Sequence, residues 1–457
     1  MAGRARIAVT GIQDQWLTGE PQFSYFVTVY KRHTRFSTEA VEMPFTGDVS
    51  FGSSVDCRVP NNIGDLMRGV TLKVKLGNLS SDVFGTSING LTSGTFVSDT
   101  VQNYYNISLG KSIIKYADLI IGGQVIERLT GEYIYMYDQL HSNKDDVDQT
   151  LYFMNGHNKS SSVSPDGFGY NTFYINLPFY FYRNPGLAVP VCALTKQLVE
   201  VRVTFRDVDD DVTFKYILGS SGVVQREKTT EGSIKSASLI TDFYFITDDE
   251  KNFLRTRPME YVITQLQKST VQFKPGELKK SVLLKFENPV KELMFLAKEE
   301  TGNNFNTEDR LINTSTPDQS FSSVLKGGTV GSVTNTKCSD HRALKNIKLE
   351  CNGATVFDHS GQYLAYQQSL QYHTGCPDPA YEFYTYSFAL KPEVYYPTGQ
   401  LNMSRIIHKK LDIELDTIPT ATSGTTTAIN TRNINVCVYA HSYNVLHIES
   451  GLAGLKF

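Results

Sequence analysis

One tryptophan, six scattered cysteines and almost no net charge are what this 457-residue chain has least of, and each shortage removes a class of function. Cys57, Cys192, Cys338, Cys351, Cys376 and Cys437 form no Cys-x-x-Cys pair. A chain this long buries enough core to do without disulfide staples, so reduced thiols are expected. The formal charge is −3 with no basic stripe, which leaves no counterion-release footprint and no direct contact with nucleic acid to expect. No apolar run approaches the roughly 20 residues that cross a bilayer, so any membrane contact is peripheral. The polar run Gly11 to Gln15 follows Met1-Ala2-Gly3-Arg4-Ala5-Arg6 without an apolar core, and classical secretion is not expected.

Catalytic signatures are missing too. Gly110-Lys111-Ser112 ends like a phosphate loop, but the required first glycine is Tyr105. Gly122-Gly123 reads as a tight turn. No His-Glu-x-x-His or His-x-His pattern occurs; His359 and His373, with Cys376 beyond, come nearest and read better as surface or interface histidines. Asp207, Asp209, Asp210 and Asp211 lack the glycine and terminal glutamate of a calcium loop and read as a solvated stretch. There is no Gly-x-Ser-x-Gly elbow. The expectation is a protein that is not an enzyme, with no cofactor and no metal.

What the chain does have is 26 Tyr and 26 Phe with 34 Gly and 16 Pro, residue types that favour pleated surfaces and turns. Period-2 alternation marks strands at Val70 to Leu76, Val199 to Phe205, Ile347 to Cys351, Leu411 to Leu415 and Ile434 to Val438. The fold class is all-β.

A repeat then fixes the organisation. Ala117 to Leu140 aligns without gaps on Ile347 to Leu370, with Gly123 and Gly353, Gly131 and Gly361, Tyr133 and Tyr363, and Leu140 and Leu370 each 230 positions apart. Each copy reads as strand, turn, strand and a short helix beginning after Thr130 or Ser360, hydroxyl residues suited to capping. Tyr133, Met136, Tyr137 and Leu140 follow helical spacing, echoed by Tyr363, Tyr366 and Leu370. A weaker echo sets Leu177-Pro178-Phe179 against Tyr386-Ser387-Phe388. Two sandwiches follow, with domains expected at 1–236 and 237–457. Polar, Gly- and Ser-rich stretches at 79–100, 141–171, 206–236, 301–340 and 416–432 exceed hairpin length and suit an exposed or neighbour-contacting surface.

Two features leave their readings open. Lys31, Arg32, His33 and Arg35 end the aromatic segment from Pro21; they are either the charged end of a first strand or part of an arm docking on the inner side of an assembly. Asn78, Asn106, Asn158, Asn313 and Asn402 begin Asn-x-Ser/Thr sequons, either sites of surface glycosylation or chance occurrences of a common pattern.

The chain resembles the major capsid proteins of the nucleocytoplasmic large DNA viruses. The resemblance rests on Gly11-Ile12-Gln13-Asp14, on Tyr30 to Phe36, and on Leu177-Pro178-Phe179 with Asn184-Pro185-Gly186. It extends through Asp248-Asp249-Glu250, Pro397-Thr398-Gly399 with Asn402-Met403-Ser404-Arg405, and Tyr443-Asn444-Val445-Leu446. It implies two tandem eight-stranded jelly rolls with a few short helices and long loops, and a homotrimeric pseudo-hexagonal capsomer tiling an icosahedral virion shell. Its partners would be itself, neighbouring capsomers, minor capsid and penton proteins, and peripherally an internal viral membrane, after synthesis in host cytoplasm. The rival from another class is a jelly-roll glycan-binding protein, for which the tyrosine content speaks; a metal-bearing jelly-roll enzyme would need clustered histidines.

Overall fold

The structure, a computed structural model, describes residues 18, 20–28, 32–77, 100–105, 112–142, 172–208, 213–218, 224–228, 232–299, 344–377, 383–416 and 433–457. Chain contacts divide it into a short unit, Met1–Phe36, and a main unit, Ser37–Phe457. Both hydrophobic cores belong to the main unit.

Its first half runs β1 (Phe36–Pro44), β2 (Ser54–Val59), β3 (Leu66–Leu76), β4 (Thr100–Tyr105), β5 (Ile114–Ile121), β6 (Gln124–Thr130), α1 (Gly131–His141), β7 (Thr172–Leu177), β8 (Val199–Phe205), β9 (Thr213–Leu218), β10 (Val224–Lys228) and β11 (Ile234–Ile246). Helix α2 (Asp248–Thr256) leads to the second half: β12 (Met259–Phe273), β13 (Lys279–Leu283), β14 (Pro289–Glu299), β15 (Leu344–Cys351), β16 (Ala354–Ser360), α3 (Gln368–Tyr372), β17 (Tyr384–Ser387), β18 (Leu401–Asn402), β19 (Lys409–Leu415), β20 (Ile434–Glu449) and β21 (Leu452–Leu455).

The first half forms sheets ordered β1-β11-β3-β7 and β2-β8-β5-β6; the second forms β12-β20-β14-β17 and β13-β19-β15-β16. Numbered by place within its half, each roll pairs strands 1-8-3-6 and 2-7-4-5, so the same eight-strand jelly roll occurs twice. A side sheet β10-β9-β4 is added to the first half, and β18 and β21 extend the second. The periodic segments lie where the alternation places them. Val70, Leu72, Val74 and Leu76 on β3, and Val199, Val201, Val203 and Phe205 on β8, are buried in one core, their polar neighbours turned to the other face.

The repeat is structural in its hairpins. Turns Gly122-Gly123 and Asn352-Gly353 carry positive φ at both central residues, 58° and 84° in one and 50° and 85° in the other, the paired left-handed geometry that closes a two-residue hairpin. The helices differ. Thr130 Oγ1 accepts from Tyr133 N at 3.2 Å, starting α1 as expected, whereas the second copy opens on a π turn, Tyr363–Gln367, without a side-chain cap. The wider turn rotates the residues after it, and Leu370, expected on the apolar face, is 67% exposed.

A boundary between 236 and 237 cuts through β11. That strand pairs with β3 from Ile234 on Leu76 to Tyr244 on Leu66, so it completes the first roll; we propose that the division lies beyond Ile246, at α2. The expectation placed it after the polar stretch Gln225 to Lys235 and before the strand-like Leu239 to Ile246, because polarity reads as a linker.

Strand direction sorts the connections. Those from β3 to β5, β6 to β7, β8 to β11, β14 to β15 and β19 to β20 all leave one end of the rolls, here called the loop end, and four of the five long polar stretches of sequence, together with most of the fifth, fall in these connections. At the opposite, terminal end the chain enters β1 and leaves β20.

Candidate functional site

For a protein with no catalytic constellation in its sequence, the feature that needs explaining is the seam that makes two rolls one block. The middle of β14 reads Leu293-Met294-Phe295-Leu296-Ala297 and that of β20 reads Val436-Cys437-Val438-Tyr439-Ala440. Such continuous apolar runs belong to strands covered on both faces. Leu293, Phe295, Ala297, Val436, Val438 and Ala440 fill the second roll's core. Met294, Leu296, Cys437 and Tyr439 point the other way, into the first roll's cluster, joined there by Leu446 and Ile448. Each large side chain buried at this seam contributes roughly 1.5–3 kcal/mol.

Backbone contacts lock the register between rolls. Gly375, beyond α3, donates its N–H to Leu140 O at the end of α1 at 2.7 Å. An added Cβ there would overlap the Gln139 and Ser142 carbonyl oxygens. Toward the terminal end, Lys196 N donates to Gly451 O at 3.2 Å and Ala453 N to Gln197 Oε1 at 2.7 Å, while Gln265 Nε2 on β12 donates to Ile126 O at 2.6 Å. Gly375→Ala is expected to lower stability by about 1–3 kcal/mol through overpacking. A urea midpoint equal to the parent's would show that the latch carries no strain.

Two charged clusters lie in the seam. In one, Glu132 on the first turn of α1 accepts from Arg206 Nη2 at 2.7 Å and Lys298 Nζ at 2.8 Å, with Lys268 Nζ at 4.0 Å. Burial raises the Glu132 carboxyl's proton affinity, but these cations outweigh it and hold the group well below the usual carboxylate range.

The other cluster forms where β14 bulges between Val290 and Glu292 against β20, turning both Lys291 and Glu292 inward. His441 Nδ1 lies 2.9 Å from Glu292 Oε1. His373 Nε2 is 3.3 Å from Glu292 Oε2 and its Nδ1 3.6 Å from Glu393 Oε1, ion-pair distances off the line of a straight hydrogen bond. His141, from α1, stacks on Tyr137 at 3.9 Å and meets the His373 ring edge-on at 6.1 Å. Lys291 Nζ donates to Pro392 O at 2.8 Å. Burial pushes His141 down to about 3 and, with Lys291 beside it, His441 down to about 4. Burial also acts against the charge on His373, yet Glu292 and Glu393 lift it to about 9. Burial raises the Glu127 carboxyl to about 8. A cleft of about 190 Å³ opens beside this cluster between the Pro178–Leu187 and Pro392–Tyr396 segments.

The residues singled out in the sequence lie elsewhere. Arg32, His33 and Arg35 are exposed in the short N-terminal unit, where His33 Nδ1 is 2.7 Å from Thr34 O; Lys31 lies outside the described residues. Of the sequons only Asn402 is described, and it is exposed; Asn78, Asn106, Asn158 and Asn313 lie outside. His373 is not a surface residue: its side chain is 1% exposed, because the seam closes over it. Among the described residues no group of three or more His, Cys, Asp or Glu is placed to hold a metal. Sequence reasoning missed the seam clusters, although the charge-bearing stretch Lys291-Glu292 directly before a continuous apolar run was a readable sign.

Comparison with known proteins gives this geometry a context. A family model for the major capsid protein N-terminus matches residues 24–247, and one described as large eukaryotic DNA virus major capsid protein matches residues 250–454. The major capsid protein of Pyramimonas orientalis virus is 29% identical, and that of Paramecium bursaria Chlorella virus 1 is 28% identical, each alignment covering 100% of this chain and 99% of the relative. Among solved structures, a chain of the PBCV-1 virus capsid superposes with a TM-score of 0.71 at 25% identity, covering 95% of this chain and 100% of its own. The Faustovirus major capsid protein shares the fold, with a TM-score of 0.64 at 12% identity over 98% of this chain and 96% of its own. The glycan-binding alternative finds no support among these matches.

Proposed function

The chain belongs to the major capsid proteins of large eukaryotic DNA viruses, double jelly-roll structural proteins of the virion capsid, and from that premise we infer that three copies close into a homotrimer. The observation that carries the reading is the duplicated roll. Two equivalent rolls per chain give six per trimer, a pseudo-hexagonal outline that tiles a hexagonal lattice, and closed threefold symmetry satisfies every intratrimer interface.

The role is shape and interface rather than catalysis. The seam makes the chain rigid, so angles set at one roll are transmitted to the next. Contacts between capsomers, and with minor capsid and penton proteins, are individually weak and add up over the shell. Native mass by light scattering is expected at three times 51.2 kDa, with a hexagonal outline in negative stain. A stable monomer at the concentrations of assembly would refute the trimer.

A further inference from the structure

His141 closes α1 directly after Leu140, whose carbonyl takes the Gly375 N–H at 2.7 Å, and His373 lies two residues before Gly375. The backbone latch between the rolls is thus flanked by one imidazole from each roll, their rings edge-on at 6.1 Å.

The hydrogen-bond partners assign the protons. A carbonyl oxygen only accepts, so His141 Nδ1, 2.9 Å from Tyr137 O, carries the hydrogen and Nε2 is left as the base. The ionised Glu292 likewise accepts from His441 Nδ1 at 2.9 Å, while Tyr133 of α1 meets that ring edge-on at 5.8 Å. His373 has a carboxylate at each nitrogen, Glu292 Oε2 at 3.3 Å and Glu393 Oε1 at 3.6 Å, which makes it an imidazolium. At neutral pH the seam therefore encloses one charged imidazole and two neutral ones.

Further protons there would be unbalanced. Arg183, from the Pro178–Leu187 segment, donates to His141 O at 2.9 Å, and Lys291 on β14 lies beside His441. With His373 these are three cations, facing three carboxylates: Glu292, Glu393, and Asp138 near Tyr137 on α1. Glu393 is also held by Thr374 N and Oγ1. Burial keeps Glu127 on β6 protonated and the phenols of Tyr133, Tyr137, Tyr180 and Tyr443 neutral, and β12 brings only Val262 and Thr264 to the cleft.

We propose that this cluster is an acid-released latch: protonation of His141 and His441 sets like charges against His373, Arg183 and Lys291 across the seam, breaks the Leu140–Gly375 hydrogen bond and opens the cleft between the Pro178–Leu187 and Pro392–Tyr396 segments, with both rolls still folded. Buried imidazoles that gain charge at an interface are the general means by which acid parts packed surfaces. The Lys196–Gly451 and Gln197–Ala453 contacts toward the terminal end are backbone and amide bonds with no imidazole in them, so the seam yields at one place and stays joined at the other. The latch lies within one chain and acts whether or not copies associate; in a shell protein it makes the angle between rolls depend on pH.

The test is amide hydrogen exchange of the full chain at pH 6.5 and 4.5, corrected for the intrinsic pH dependence of exchange and read by mass spectrometry. The peptide carrying the Gly375 N–H is expected to lose protection by about tenfold or more at pH 4.5 and to regain it at pH 6.5, while peptides from β3 and β8 keep theirs. His141→Phe, which retains a ring to stack on Tyr137 but binds no proton, should hold the Gly375 amide protected in acid, and His441→Gln should do so in part. Protection of Gly375 that is equal at the two pH values in the parent chain would overturn the latch. So would loss shared equally by β3 and β8, which is unfolding of the rolls, or loss in both variants as large as in the parent. A monomer that releases Gly375 in acid upholds the latch and refutes only the trimer.

Discussion

Glu132→Gln should lower the stability of the folded chain by about 3–5 kcal/mol, the cost of removing one partner from a buried ionic cluster. The substitution keeps the shape of the side chain and removes the charge that Arg206, Lys298 and Lys268 share across the seam. Chemical denaturation at fixed protein concentration reads the effect, since any self-association makes stability depend on concentration. Pairing the change with Lys298→Met in a double-mutant cycle isolates the part that crosses between rolls. A shift below about 0.5 kcal/mol, the size of an ordinary surface change, would mean that solvent reaches the cluster and that apolar contacts alone join the rolls.

Acidification from pH 6.5 toward 4 should remove a few kcal/mol of stability, on the scale of about 1.4 kcal/mol per pKa unit. The sign follows from the two depressed histidines. His441 and His141 bind protons near 6.5 when unfolded but only near 4 and 3 when folded, so the unfolded chain takes up more protons across that window and stability falls with pH. Protonating them would add charge beside Lys291, Arg183 and the already charged His373. Glu127, protonated up to about 8 when folded, opposes this between 4.5 and 6.5 with one proton against two. Below 4.5 the carboxylates of Glu132, Glu292 and Glu393, all depressed, add to the loss. On the alkaline side His373 and Glu127 lose their folded-state protons toward 9 and 8, and stability declines again. Melting temperatures across pH 4 to 9 should therefore peak between 6 and 7, with a shallower acid limb in His441→Gln. A flat profile over pH 4.5 to 6.5 would contradict the buried, neutral state of both imidazoles.

The all-β class and the duplication were legible because each rests on local pattern. Alternation along Val199 to Phe205 is what a half-buried strand requires, and the constant spacing of Gly123 with Gly353 survives because a left-handed turn tolerates few residues. Long-range features were less legible. Nothing local to Ile234-Lys235-Ser236 reveals that these residues extend β11, since their strand character comes from pairing with β3. Leu370 carries helical spacing, yet one extra residue in the π turn moves it to solvent. The seam was half visible: the unbroken apolar runs of β14 and β20 announce strands covered on both faces, but which charges meet between them depends on how two rolls separated by about half the chain come together.

Because the long connections leave a single end of both rolls, the length of those segments and the pairing of the sheets are separate quantities. Chains of this topology can lengthen, shorten or exchange those segments while the strand pairing of both rolls stays as it is. Variation in those segments then needs no renegotiation of strand pairing, and a foreign peptide inserted between β14 and β15 or between β6 and β7 is expected to leave the sheets of both rolls intact.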